Sequence, residues 1–76
     1  MKKARVLLRV LRAQQEPKLT QSAVARRAGL SRSRYWQIEV GEGSEPSSGE
    51  REAVAAALGV KVSEIAWPEV ARAKAS

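Results

Sequence analysis

Arg32, Ser33, Trp36 and Gln37 fall within six residues of one another, at a spacing that turns all four outward from a single short helix. Together they offer a guanidinium, a hydroxyl, a carboxamide and an indole, which is chemistry for recognising a partner rather than for breaking bonds. The rest of the chain agrees. Its 76 residues contain no cysteine and no histidine, which excludes disulfides, thiolate metal sites, cysteine nucleophiles and the usual general base. No enzyme, no cofactor and no metal are expected. Charge is the stronger clue. Residues 1–40 hold ten Lys/Arg against Glu16 and Glu39, a net +8, whereas residues 41–76 hold four basic and six acidic residues, a net −2. A positive half suits a polyanion, because each neutralised phosphate releases counterions. Solvated helix surfaces would also carry such arginines, so charge alone leaves both readings open.

These side chains need elements to hold them. One small domain over residues 1–70 with a flexible tail over 71–76 is expected, and the alanine content and scarce aromatics favour helices over a small barrel. Over residues 4–14, Val6, Leu7, Val10 and Leu11 form one apolar stripe and Arg5, Arg9 and Arg12 another, which predicts an amphipathic helix. The same arginines interrupt the apolar run too often for a signal peptide or a membrane span, so a cytoplasmic protein is expected. Pro17 ends that helix. Thr20 caps a second over residues 21–28, Gly29 stops it, and Ser31 caps a third that runs to about Val40 with Tyr35 and Ile38 inward. After the loop 41–46, Ser47 or Ser48 starts a fourth helix through Leu58, with Val54, Ala57 and Leu58 in the core. A short fifth helix capped by Ser63 carries Ile65 and brings Trp67 to the core. The expected fold is all-α, a compact bundle of about five short helices.

Two short helices joined at Gly29 have the spacing of a helix-turn-helix. Counting from Gln21, small Ala25 is fifth, Gly29 ninth, and Val24, Ala28, Leu30, Tyr35 and Ile38 are fourth, eighth, tenth, fifteenth and eighteenth. The fifth slot must be small where the helices cross, the ninth suits a left-handed turn, and the apolar slots seal the pair against its neighbours. With these residues, and with Leu19-Thr20-Gln21, Gly29-Leu30-Ser31, Ile38-Glu39, Gly41, Pro46 and Leu58-Gly59-Val60, the chain resembles the phage-repressor-like (Cro/repressor, XRE-type) helix-turn-helix family over about residues 4–66. The resemblance implies a lambda-repressor-like bundle whose third helix, about residues 31–40, lies in the major groove.

Residue by residue, it implies that Arg32, Ser33 and Gln37 read base edges, with Trp36 sharing their face and Arg32 suited to guanine O6 and N7. It implies that Gln21 and Ser31 anchor to phosphates, and that Arg12 and Glu39 form a structural salt bridge. Arg34, Arg26, Arg27 and Arg9 are expected as further phosphate contacts. Two features depart from the family pattern. The linker from Arg12 to Thr20 is about two residues longer than usual. The loop after the third helix, Gly41-Glu42-Gly43-Ser44-Glu45, is acidic where a basic one is usual, so it turns from DNA or weakens binding.

The leading expectation is a sequence-specific, double-stranded DNA-binding transcriptional regulator of bacterial or phage type. It would act as a homodimer on half-sites one helical turn, ~34 Å, apart, with helix five and Trp67 supplying the interface. The alternative is a protein-interaction module on the same scaffold, an antitoxin or phage accessory protein whose acidic second half grips a protein partner. A membrane-surface helix at residues 2–14 leaves the rest of the chain without a role.

Overall fold

The computed structural model of the protein describes residues 5–70. The tail expected over 71–76 and the start of the first helix at Ala4 lie outside the described residues. Four α-helices, α1 (Leu8–Ala13), α2 (Gln21–Ala28), α3 (Arg32–Val40) and α4 (Ser48–Leu58), are joined by a two-residue strand at each end of the described chain, β1 (Val6–Leu7) and β2 (Ile65–Ala66). The strands pair in parallel, with Val6 opposite Ile65 and Leu7 opposite Ala66.

The first helix is therefore shorter than its periodicity suggests, and its buried stripe is different. Leu8 and Leu11 face the core, whereas Leu7 is 42% and Val10 36% exposed. No Ser, Thr, Asp or Asn precedes Leu8 to cap a longer helix, and Leu7 makes no side-chain cap. Pairing with β2 holds residues 6 and 7 extended instead, a conformation that β-branched Val6 suits. The same pairing removes the expected fifth helix. Only a single 3-10 turn forms at Val62–Glu64, started by Lys61 rather than Ser63, and its Glu64 carboxylate accepts from the Lys61 N–H at 2.7 Å. Pro68 disfavours helix in the residue before it, and Ile65 turns extended to meet β1. Among the described residues the architecture is thus four helices clamped by a short strand pair, not an all-α five-helix bundle.

The central helices begin and end on local chemistry. Thr20, Ser31 and Ser47 each accept, through the side-chain oxygen, the N–H three residues on: Ala23 at 3.1 Å, Arg34 at 3.0 Å and Glu50 at 3.1 Å. Glu50 reciprocates by accepting the Ser47 N–H at 2.9 Å, which completes a capping box. Gly29 ends α2 with φ +73, a left-handed conformation that a side chain makes costly, and the Leu30 N–H then returns to the Ala25 carbonyl at 2.8 Å. This closed turn sets α3 across α2.

The core forms where α2 packs on both α3 and α4. Val24, Ala25, Tyr35, Ile38, Val54, Ala55 and Leu58 are buried there with Leu8, Leu11 and Ile65. Ala55 replaces Ala57 as the alanine buried from α4, with Ala57 half-buried at the rim. Trp67 packs against the core, its indole N–H donating to the Val62 carbonyl at 3.1 Å and its ring lying 5.5 Å from the Arg51 guanidinium. The longer linker after α1 is tied down: Leu19 N–H donates to the Arg12 carbonyl at 3.2 Å, and the Gln15 amide reaches the Leu58 carbonyl at 3.3 Å.

Candidate nucleic-acid interface

The start of α2 and the outward face of α3 border a surface depression of about 320 Å³ lined by Gln21, Arg32, Ser33, Trp36 and Gln37. Arg32 and Ser33 are exposed, Trp36 is 45% exposed, and Gln21 and Gln37 are half-buried. Four outward positions of α3 and the first residue of α2 thus share one concave face. Burial of Tyr35 and Ile38 on the opposite side of α3 fixes this orientation, because rotating the helix to hide Trp36 would expose them.

Beneath that face lies a bonded carboxylate. Glu39 accepts from Arg12 Nε at 2.7 Å and Nη2 at 3.1 Å, from Gln21 Nε2 at 2.7 Å and from the Tyr35 hydroxyl at 2.8 Å. Arg12 also donates to the Leu19 carbonyl at 3.0 Å, so one cluster joins α1, the linker, α2 and α3. Burial alone would push the Glu39 carboxyl up; hydrogen bonds from Arg12, Gln21 and Tyr35 outweigh it and hold the group below its usual range. Tyr35 moves upward, first because it is buried and next because its hydroxyl is bonded to that carboxylate. Gln21 accordingly braces α3 from below. Its amide nitrogen carries a second N–H beyond the one given to Glu39.

Arg34, expected on phosphates, points elsewhere. Its Nε and Nη2 grip the Glu50 carboxylate at 2.9 and 2.8 Å, Nη1 donates to Gln37 Oε1 at 3.2 Å and to the Ser44 carbonyl at 3.1 Å, and Nη2 also reaches the Glu45 carbonyl at 3.4 Å. Those bonds engage all five guanidinium N–H groups, leaving none for a phosphate in this arrangement. The hydrogen bond from Arg34, followed by that from the Ser47 backbone, pulls Glu50 down to about 2. The acidic loop 41–46 is thus drawn against α3 and α4 by carbonyl contacts, a role its composition does not reveal. One signal was available: Glu50 stands three residues after Ser47, the capping-box spacing that fixes a carboxylate at the start of α4.

Arg9, Arg26 and Arg27 are exposed. Arg26 and Arg27 occupy the last turn of α2, where positive charge also complements the helix dipole, and Arg27 reaches the Ala57 carbonyl at 3.5 Å. Ser31 is exposed at the start of α3, its oxygen holding the Arg34 N–H.

Compared with known families, residues 5–67 match the family described as a helix-turn-helix domain. This chain is a helix-turn-helix protein. The match takes in β1, all four helices and β2, so the helix-turn-helix domain fills nearly the whole described chain. The family is one of DNA-binding domains of the Cro/XRE-like kind. No curated protein and no solved structure matches the chain. Within this helix-turn-helix, α2 is the bracing helix and α3 the helix that presents the depression. Among the described residues no group of His, Cys, Asp or Glu could hold a metal ion, and no helix is long and apolar enough to cross a membrane.

Proposed function

We propose that the protein is a sequence-specific, double-stranded DNA-binding transcriptional regulator of bacterial or phage type, acting as a homodimer with α3 in the major groove. The observation that carries this reading is the convergence of Gln21, Arg32, Ser33, Trp36 and Gln37 on one concave face of a helix-turn-helix. Arg32, Ser33, Trp36 and Gln37 form the base-reading set. Arg32 offers a bidentate fork for guanine, and the exposed indole of Trp36 offers an apolar face to a thymine methyl. Gln21 and Ser31 sit at the phosphates flanking them, and Arg9, Arg26 and Arg27 add sequence-independent attraction. Arg12 and Glu39 hold the frame.

One α3 spans only a few base pairs, so useful specificity calls for two chains on half-sites one helical turn, ~34 Å, apart. Trp67, with its N–H bonded and Arg51 over its ring, is a poorer candidate for the subunit contact than Leu7 and Val40, which are exposed and share a depression with Pro68. Selection from a randomised duplex pool at near-physiological salt, with the stoichiometry of the retained complex, tests the reading. A symmetric motif bound by two chains is the expected result. Retention without sequence enrichment would reduce the fold to a scaffold and direct attention to a protein partner.

A further inference from the structure

We propose that Gln37 reads DNA as a hydrogen-bond donor, because Arg34 holds the oxygen end of its carboxamide, and that it therefore selects guanine over adenine. The inference rests on the DNA-reading role of α3.

A glutamine side chain ordinarily presents either end of its amide, and reading adenine in the major groove needs both: the N–H₂ for N7 and the carbonyl oxygen for the N6 amino group. Here Arg34 already engages the oxygen on one side. Gln37 Oε1 lies 3.2 Å from Arg34 Nη1, and a guanidinium only donates, so the atom facing it must be the acceptor. Turning the amide over would set two donors against each other. Arg34 has no freedom to follow, since its remaining N–H groups are bonded to Glu50 and to the Ser44 and Glu45 carbonyls.

A second contact confines the same carboxamide. Gly43 has φ +71, and a Cβ built on it would meet Gln37 Cδ and Oε1 at 2.9 Å and Nε2 at 3.1 Å. The loop backbone therefore lies against the carboxamide, and a side chain at this position would push the amide aside. The loop that looked anomalous for its acids becomes a wall behind a reading residue, its carbonyls steadying Arg34 and its glycine flanking the amide. Gln37 nonetheless lines the recognition depression with Arg32, Ser33 and Trp36. The amide nitrogen is its available end.

Guanine presents two acceptors in the major groove, N7 and O6, both of which an N–H₂ group satisfies. Adenine presents N7 beside an N6 donor, which would face the amide donors unpaired. The clamp thus turns a side chain of dual character into one with a single preference, and Arg34 acts as a positioning residue for that choice.

Site selection with wild type and with Gln37→Ala identifies the base pair read, as the column whose preference flattens in the variant. Affinities for duplexes carrying guanine or adenine there are then compared. Wild type is expected to favour guanine by about tenfold or more, and Arg34→Ala to narrow that gap to within about threefold as the amide becomes free to turn. Should Arg34→Ala fail to fold, Arg34→Met, which keeps the aliphatic stem but removes the donors, is read in the same way, and the wild-type preference for guanine over adenine is itself decisive. Adenine at this pair in the wild-type site, or a folded Arg34→Ala with an unchanged guanine preference, would overturn the inference while leaving DNA reading intact. No enriched site at all would remove both.

Discussion

Glu39 ties α3 to α1 and α2. Three donors from three elements converge on its carboxylate, and one of them, Arg12, is a charge that itself lies largely within the protein. Glu39→Gln keeps the shape but leaves Arg12 without a counter-charge, so a loss of about 3 kcal/mol is expected by urea denaturation. Tyr35→Phe removes one hydrogen bond from the same carboxylate and should cost about 1 kcal/mol. Equal losses for the two would mean that the Arg12 charge is already well solvated without Glu39. At the recognition face, Arg32→Ala should cost about 1–3 kcal/mol on the preferred site and relax preference at one base pair. Arg26→Ala should instead weaken specific and random duplexes alike and reduce the salt slope by about one unit. Identical losses on specific and random DNA for Arg32→Ala would remove it from the base-reading set.

At the level of elements, the angle between α2 and α3 is set by one turn. Gly29 adopts φ +73 with nothing within 4 Å of the place a Cβ would occupy, so the obstacle to substitution there is backbone conformation rather than space. Gly29→Ala is expected to destabilise the domain by about 1–2 kcal/mol without loss of packing, and a folded variant should still retain DNA. A variant of unchanged stability would mean that the turn adopts another conformation. The strands act at the other end of the molecule. Pairing of β1 with β2 fixes where α1 begins, and so which of its residues meet the core and where Arg12 meets Glu39. Charge patterning along residues 4–14 is compatible with several helical registers; the contact with Ile65 and Ala66 selects one.

For the whole molecule, the shifted carboxylates define an acid limb of stability. Glu39 and Glu50 are held below the ordinary glutamate value of 4.5, with Glu50 near 2, so both bind protons more readily in the unfolded chain. Their contribution is fully present above pH 4.5 and is lost as pH falls from there toward 2. Tyr35 is raised above 10.0, so its contribution is present below pH 10 and declines as pH rises beyond it. Thermal melts across pH should show a plateau between these limits. Glu50→Gln should shorten the acid limb, and an unchanged limb would show that the Arg34–Glu50 pair contributes no differential proton binding. A small domain has little stability in reserve, which makes such limbs visible.

The order of the three central helices was written locally. Thr20, Ser31 and Ser47 stand where caps are needed, Gly29 stands where the chain must turn, and the apolar slots from Val24 to Ile38 have a spacing that only a closely crossed helix pair explains. The outward set Arg32, Ser33, Trp36 and Gln37 follows from the same periodicity, since burying Tyr35 and Ile38 leaves those positions facing out. Tertiary structure decided what periodicity cannot encode. A strand two residues long has no repeat to recognise, so β1 and β2 became visible only when residues 6–7 met 65–66. Arg34 carries the same charge wherever it points, and its direction depended on Glu50 and loop carbonyls that folding brings alongside it. Local sequence fixes caps, turns and faces because their partners lie within a few residues; pairings across the chain arise only when packing places distant donors and acceptors together.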